Sequence, residues 1–199
     1  MIYLDHNATS PLLPEVLDAM GPWLGVPANP SSVHRFGQRA SMALEEARRD
    51  VADFLGRQPA GVVFTSGATE ANQAWFYGIE GLGRRAVAVG AVEHPCVWGA
   101  ARRSGMAIHT LAARGDGRVL VDIPPGCEAI CLMAANHETG VLQDLGAAFA
   151  SGLWVHVDAT QAAGRVPLAL EGAHGVAISG HKLGGPSGVG VLSLRGDAD

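Results

Sequence analysis

The sequence has 199 residues, of which 48% are hydrophobic and 17% are charged, and its formal net charge is -5 at pH 7. A chain of this length and composition can bury a sizeable core, and we expect it to form one domain. The negative balance offers no basic surface to nucleic acid, and no apolar run approaches the ~18 residues of a membrane span. We therefore predict neither a nucleic-acid-binding protein nor an integral membrane protein.

The N-terminus and the cysteines indicate a reducing compartment. Met1 leads directly into a predicted strand, without the charged and apolar regions of a signal peptide. Three cysteines are an odd number, which favours free thiols over a disulfide scaffold. We expect a cytoplasmic protein with Cys127 and Cys131 in or near the core. Cys96 is expected to be a small buried hydrophobe rather than a reactive thiol, although it lies close to the predicted pocket.

The first part of the chain predicts an N-terminal arm and a long packing helix. Residues 1–11 are interpreted as a short strand and a polar turn, and Pro14 begins an amphipathic helix that runs to about Leu24. An irregular loop is expected over 25–34. Apolar residues at helical spacing then predict a helix over 37–55.

From residue 61 onward, short apolar runs alternate with helical patterns. The predicted helices cover 69–81, 95–103 and 144–151, and the predicted strands cover 61–65, 86–91, 106–111, 129–134, 153–158, 175–178 and 189–194. Strands that alternate with helices over short connections indicate an α/β fold. We expect a mostly parallel, doubly wound sheet with helices on both faces.

Lys182 is the candidate for the chemistry. It follows a short apolar strand and precedes a glycine-rich turn, and open α/β sheets bind their ligands at such strand ends. Ser179 and His181 flank it with a hydroxyl and an imidazole that can bind phosphate. A lysine amine in this position could form a Schiff base with an aldehyde cofactor if its pKa is lowered. The alternative interpretation is a solvent-facing lysine in a flexible surface turn.

Three further segments favour a cofactor site. Asp158 ends a predicted strand, where its carboxylate could pair with a protonated pyridine nitrogen. The segment 66–69, Ser-Gly-Ala-Thr, joins a strand to a helix, and a helix N-terminus attracts phosphate. His94 ends another strand, and its ring could stack on a flat heterocycle. No Cys-x-x-Cys or His-Glu-x-x-His pattern predicts a metal site, and no Gly-x-Gly-x-x-Gly or Gly-Lys-Ser/Thr loop predicts a nucleotide site.

Seven segments in order carry a family resemblance: residues 3–11 (YLDHNATSP), 29–34 (NPSSVH), 64–70 (FTSGATE), 93–94 (EH), 136–143 (NHETGVLQ), 156–161 (HVDATQ) and 179–182 (SGHK). With them the sequence resembles the cysteine desulfurases and their relatives among the fold-type I pyridoxal-phosphate enzymes, the aminotransferase class V proteins. The resemblance covers about the first half of a typical family member. It implies a pyridoxal-phosphate-binding large domain over residues 1–199, with an N-terminal arm of about 1–36, and no small C-terminal domain.

The resemblance also implies roles around the cofactor ring. Lys182 would hold pyridoxal phosphate as a Schiff base, and Asp158 would pair with the ring nitrogen. Gln161 would pair with the phenolic oxygen of the ring, and His94 would stack on its face and share the catalytic role with Lys182. Asn136 would lie near the substrate amino acid and the ring oxygen.

For the phosphate, the resemblance implies side-chain contacts from Thr69, Ser179 and His181, and backbone N–H groups around Ala68. Its implied substrate is L-cysteine, its implied assembly is a homodimer, and its implied partner is a sulfur-acceptor protein, for example in iron–sulfur cluster assembly. The sulfur-accepting cysteine loop and the substrate-binding arginine of the family's C-terminal half have no counterpart here. Two functions therefore stay open: a shortened desulfurase-like enzyme, and a non-catalytic cofactor-binding or subunit-interaction protein that needs a complementary chain.

Overall fold

A seven-stranded sheet organises the fold in the computed structural model, which describes residues 2–196. The described helices are α1 (Pro14–Met20), α2 (Arg35–Leu55), α3 (Ala68–Gly81), α4 (Pro95–Arg103) and α5 (Leu145–Phe149). The described strands are β1 (Val62–Thr65), β2 (Ala86–Gly90), β3 (Ala107–Leu111), β4 (Ala129–Met133), β5 (Trp154–Asp158), β6 (Gly175–Ser179) and β7 (Gly190–Leu194). These bounds lie within about three residues of the predicted helices and strands from residue 61 onward.

The strands follow the order β1-β7-β6-β5-β4-β2-β3. The pairs from β6 through β5, β4 and β2 to β3 are parallel, whereas β7 is antiparallel to both β6 and β1. This confirms the predicted mostly parallel sheet. Because β2, β4, β5 and β6 run in one direction, the segments that follow them emerge at the same edge of the sheet.

Helices cover both faces of the sheet, as predicted, and each face has its own apolar core. On one face, Trp75, Phe76 and Ile79 of α3 pack with Val97 of α4 over alternate residues of β2 and β4. The opposite face carries a second cluster around Leu132 and other strand residues. Phe76 is fully buried, which stabilises the fold by roughly 1.5–3 kcal/mol relative to an exposed ring. Since side chains alternate along β5, Val155 and Val157 face the second cluster, and Trp154, His156 and Asp158 face the side of α3.

The N-terminal arm corrects one prediction. Among residues 2–11 there is no strand, and Met1 lies outside the described residues. The backbone of the arm pairs instead with the loop after β6: Ser10 N–H donates to the carbonyl of His181 at 2.7 Å, and Leu13 N–H donates to that of Gly184 at 2.9 Å. The arm therefore lies against a loop rather than beside a strand.

Two helices differ from their predicted lengths. Helix α1 stops at Met20 and continues only as a short 3-10 helix over Gly21–Trp23, because Pro22 has no N–H to extend the helical ladder. Helix α5 is three residues shorter than predicted, and Asp144 caps its N-terminus with a carboxylate that accepts from Gly146 N–H at 3.0 Å. Among residues 2–196, none of the helices combines the length and apolarity needed to cross a bilayer.

Candidate active site

A cavity of about 750 Å³ lies at the edge of the sheet where the parallel strands end. Loops after β1, β2, β4, β5 and β6 contribute to its wall, together with the N-terminal arm. Eight of the nine predicted site residues line it: Ala68, Thr69, His94, Asp158, Gln161, Ser179, His181 and Lys182. The position of these residues near the carboxyl ends of strands therefore predicted that their side chains would meet. The role of each residue stays a prediction.

The turn between β1 and α3 forms one wall of the cavity. Glu70, in the first turn of α3, accepts a hydrogen bond from Ser66 N–H at 2.6 Å, and this bond lowers the pKa of Glu70. The turn lies directly on β7, since a Cβ added to Gly190 would meet the Cα of Gly67 at 2.5 Å. The N-terminus of the 14-residue helix α3, with its unpaired N–H groups, is thereby held at the cavity.

Lys182 is the last residue of a 3-10 helix, Gly180–Lys182, that follows β6. Its Nζ donates to the backbone carbonyl of Asn7 in the N-terminal arm. Partial burial, and then the positive charge of Arg165, lower the pKa of Lys182 and so raise the fraction of nucleophilic amine at neutral pH. Lys182 is also the only lysine of the sequence, a signal that motif analysis overlooked: the other 13 of its 14 basic residues are arginine.

Asp158 provides a buried carboxylate at the base of the cavity. It is 6% exposed, and its Oδ1 accepts from Thr160 N–H at 3.0 Å. Its Oδ2 accepts from Nδ2 of Asn72 at 2.8 Å. Thr160 lines the same cavity, and its hydroxyl is buried without a hydrogen-bond partner among the described residues. The carboxylate of Asp158, which only accepts hydrogen bonds, thus lies next to a threonine whose hydroxyl has no hydrogen-bond partner among the described residues.

His94 presents a neutral ring to the cavity. It caps α4, and its Nδ1 accepts from Cys96 N–H at 3.1 Å, so the ring proton belongs on Nε2. Burial, and then the neighbouring His137 ring at 4.9 Å, lower the pKa of His94. Burial raises the pKa of the Cys96 thiol, which disfavours the reactive thiolate.

The N-terminal arm completes the cavity through backbone carbonyls. Nε2 of Gln161 donates to the carbonyl of Asn7 at 3.0 Å, and Oε1 of Gln161 accepts from Arg165 at 2.8 Å. Arg165 also donates to the carbonyls of His6 and Lys182, each at 3.2 Å. Sequence analysis missed Asn7 and Arg165 in this role, although Arg165 lies only four positions after Gln161.

Asn136 is the predicted site residue that does not line the cavity, whereas its neighbours Ala135 and His137 do. Its Nδ2 donates to the carbonyl of Val92 at 3.0 Å, and its Oδ1 accepts from the backbone N–H groups of Glu138 and Thr139. These bonds hold the loop after β4. The predicted contact of Asn136 with substrate stays a prediction.

Glu93 is a buried carboxyl group that sequence analysis noted only as part of a motif. Its Oε1 accepts from Met133 N–H, and its Oε2 has no hydrogen-bond partner among the described residues. Burial, and then repulsion by Asp158, raise the pKa of Glu93 well above its usual range and so favour its protonated form. Across residues 2–196, no three His, Cys, Asp or Glu side chains come together as a metal site.

The mixed sheet thus carries a lysine just after β6 and a carboxylate at the end of the neighbouring strand β5. Residues 2–199 match the family "Aminotransferase class-V", and the chain belongs to this family. Its members depend on pyridoxal phosphate, which confirms the cofactor predicted from the sequence.

Within this family, the chain is similar to proteins named as cysteine desulfurases and to a NifS-like protein. The chain is 42% identical over 224 residues to a cysteine desulfurase of Frankia sp. (strain EuIK1), covering 100% of this chain and 54% of that protein. Among solved structures, "SspA in complex with cysteine" is 29% identical with a TM-score of 0.88, covering 98% of this chain and 62% of that one. A "NifS-like protein" is 28% identical with a TM-score of 0.91, covering 99% and 60%. The chain spans about half the length of the curated relatives it matches.

Proposed function

We propose that this chain is the cofactor-binding half of a pyridoxal-phosphate-dependent, cysteine desulfurase-like protein that acts on L-cysteine. The observation that carries the proposal is the position of the single lysine. Lys182 lies at the cavity that Asp158, His94 and the N-terminus of α3 also line. Its lowered pKa matches the requirement for covalent attachment to an aldehyde.

The described residues fit pyridoxal phosphate. A cavity of about 750 Å³ is within the range of cofactor sites. The helix N-terminus with Thr69, Ser179 and His181 supplies donors for a phosphate, and Asp158 supplies one carboxylate for a cationic ring nitrogen. The buried, unpartnered hydroxyl of Thr160 is a further polar group for the bound molecule.

When bound, pyridoxal phosphate supplies an electron sink for a carbanion at the substrate Cα. The chain's own residues would attach and orient the cofactor and transfer the proton. Lys182 would attach the cofactor and, once freed, move the Cα proton as a neutral amine. Asp158 would keep the ring nitrogen protonated, Gln161 would donate to the phenolic oxygen, and the neutral His94 would cover one face of the ring.

Reductive labelling tests the attachment. The chain is incubated with pyridoxal phosphate, scanned for visible absorbance, reduced with borohydride and digested for peptide mass analysis. We expect one pyridoxyl group on the peptide that contains Lys182. Because the chain has no other lysine, only the N-terminal amine competes, and Lys182→Arg is a charge-matched control that should lose both band and label. Equal absorbance and labelling in Lys182→Arg would overturn the assignment.

Turnover is tested separately from binding. Sulfide or alanine produced from added L-cysteine by the wild-type chain, and not by Lys182→Arg, would identify an enzyme. Asp158→Ala should weaken cofactor binding and slow the Cα proton exchange of cysteine in D₂O. Cofactor attachment without any cysteine-dependent product would favour the second function.

That second function is a non-catalytic half that needs a complementary chain. It is supported by apolar surface on and beside α1, where Leu13, Leu17 and Leu24 are 48%, 52% and 72% exposed. We also propose a dimer and a sulfur-acceptor partner, with iron–sulfur cluster assembly as one destination of the sulfur. A cytoplasmic location remains our proposal and is supported by the three free cysteines. A monodisperse monomer in sedimentation would contradict the dimer.

A further inference from the structure

A buried chain of polar side chains lies beneath Asp158. Asn72 of α3 and His156 of β5 are both 0% exposed, and Nε2 of His156 lies 2.7 Å from Oδ1 of Asn72. The other end of the Asn72 amide, Nδ2, donates to Oδ2 of Asp158 at 2.8 Å. His156 and Asp158 are two positions apart on β5 and so face α3 together.

We propose that Asn72 and His156 are positioning residues that hold the carboxylate of Asp158 in one orientation for the ring nitrogen of the cofactor. This inference rests on the proposed function, because it assigns a purpose to Asp158 that only a bound pyridine ring provides.

The direction of each hydrogen bond follows from chemistry. A carboxylate only accepts, so Asn72 must turn its NH₂ group toward Asp158 and its carbonyl oxygen toward His156. His156 must therefore carry its proton on Nε2, and a neutral ring then has no proton on Nδ1. Nδ1 of His156 is buried and has no hydrogen-bond partner among the described residues, although the neighbouring backbone of Gly175 raises the pKa of the ring against the larger effect of burial.

Packing locks the imidazole in this state. The ring of Trp75 stacks on His156 with centroids 4.5 Å apart and an angle of 18° between the planes. A Cβ on Gly175 would meet Cδ1 of Trp75 at 2.4 Å and Nδ1 of His156 at 2.7 Å, so only glycine leaves room for the pair. Burial lowers the pKa of His156 to about 4, and the ring is neutral wherever the protein operates near pH 7.

The competing explanation is that Asn72 and His156 only fill the core. A matched pair of variants separates the two. Glutamine at position 156 can place an N–H near the position of Nε2, whereas asparagine places it near Nδ1, and both remove the ring. Core filling predicts losses of stability that grow with the volume removed and no separate effect on cofactor affinity, while positioning predicts that His156→Gln keeps Asp158 oriented and retains that affinity.

The first measurement needs no cofactor. Nitrogen-15 NMR of the histidine rings, with His156 assigned from the spectrum of His156→Gln, should show the Nε2–H tautomer, neutral between pH 5 and 8. The Nε2–H proton signal should shift in Asn72→Leu, which removes its acceptor. A predominant Nδ1–H tautomer in the wild-type chain would overturn the inference, because Asn72 would then direct its oxygen at Asp158.

The second measurement is cofactor affinity by absorbance titration. Asn72→Leu and His156→Asn should weaken binding of pyridoxal phosphate on the order of ten-fold, the size expected for a lost bond to a charged group. We expect His156→Gln to stay within about three-fold of wild type, and Ile79→Val, a buried change elsewhere on α3, to have no effect. Thermal unfolding identifies any variant that has lost its fold.

Equal weakening by His156→Gln and His156→Asn, with both folded, would overturn the positioning role. A wild-type chain that binds no cofactor would instead overturn the proposed function, and with it the purpose assigned to these residues. The tautomer measurement distinguishes that failure from a failure of the hydrogen-bond chain itself.

Discussion

Arg165 fixes the orientation of Gln161. The guanidinium donates to Oε1 of Gln161 at 2.8 Å, so the amide nitrogen of Gln161 faces the carbonyl of Asn7 and the cavity. The same guanidinium donates to the carbonyl of Lys182. One arginine thus contacts the N-terminal arm, Gln161 and the backbone of Lys182, the predicted attachment residue.

The first prediction follows from the charge of Arg165. Its proximity lowers the pKa of Lys182, after the larger effect of burial, so Arg165→Gln should raise that pKa. At pH 7 we expect cofactor attachment to slow by roughly two- to five-fold, as is typical of partly exposed charges, with the pH–rate profile moved to higher pH. Stopped-flow absorbance measures the rate. Arg102→Gln, on the exposed side of α4, is the charge-matched control, and an equal effect of both changes would contradict the prediction.

The second prediction concerns acid stability. The pKa of His156 is about 4 in the folded state, against about 6.5 in an unfolded chain. A lowered histidine pKa stabilises the fold above pH 6.5, and this contribution is lost as the pH falls toward 4, because the unfolded state binds the proton more tightly. Urea unfolding at pH 7.5, 6 and 5 should reveal a loss of about 2 kcal/mol between the first and the last pH. The loss should be absent in His156→Gln, and an identical pH dependence of both proteins would refute it.

The third prediction concerns Glu93, whose contribution to stability falls as the pH rises, opposite to that of His156. The pKa of Glu93 is raised, so its contribution to stability is complete below the usual carboxyl pKa and declines as the pH rises toward the folded-state value. Glu93→Gln keeps the shape without the titration. Its free energy of unfolding relative to wild type should therefore increase between pH 5 and 8, with a slope of at most about 1.4 kcal/mol per pH unit. Glu46→Gln, exposed on α2, should show no such slope.

The fourth prediction tests the space beside His156. Gly175→Ala would place a Cβ against Trp75 and His156, and we expect a destabilisation of about 1–3 kcal/mol in urea unfolding, as for an overpacked core. Gly78→Ala is the matched control, because it lies on the exposed side of helix α3 and nothing beyond its chain neighbours and its own helix lies within 4 Å of its Cβ. We expect that variant to be neutral or slightly stabilised. Comparable losses at both positions would argue against steric conflict as the cause.

Local patterns in the sequence predicted the strands and helices after residue 61, because each has apolar residues at its own period. The convergence of Ala68, His94, Asp158 and Lys182 was also predictable. All four lie next to a strand end, and parallel strands deliver such residues to one edge. The predicted N-terminal strand does not form among residues 2–11. An alternating pattern favours an extended chain, but it does not show whether the edge of another strand is free to pair with it.

The sequence by itself determined the alternating fold and the cofactor, and it predicted the single lysine that would attach that cofactor. Only the tertiary structure decided which groups support that chemistry. Asn72 and His156 are 84 positions apart, and they meet because α3 crosses the face of β5. Asn7 reaches Lys182 across 175 positions because the arm pairs with a loop rather than a strand. Such contacts depend on how packed layers lie on one another, and no local periodicity encodes that arrangement.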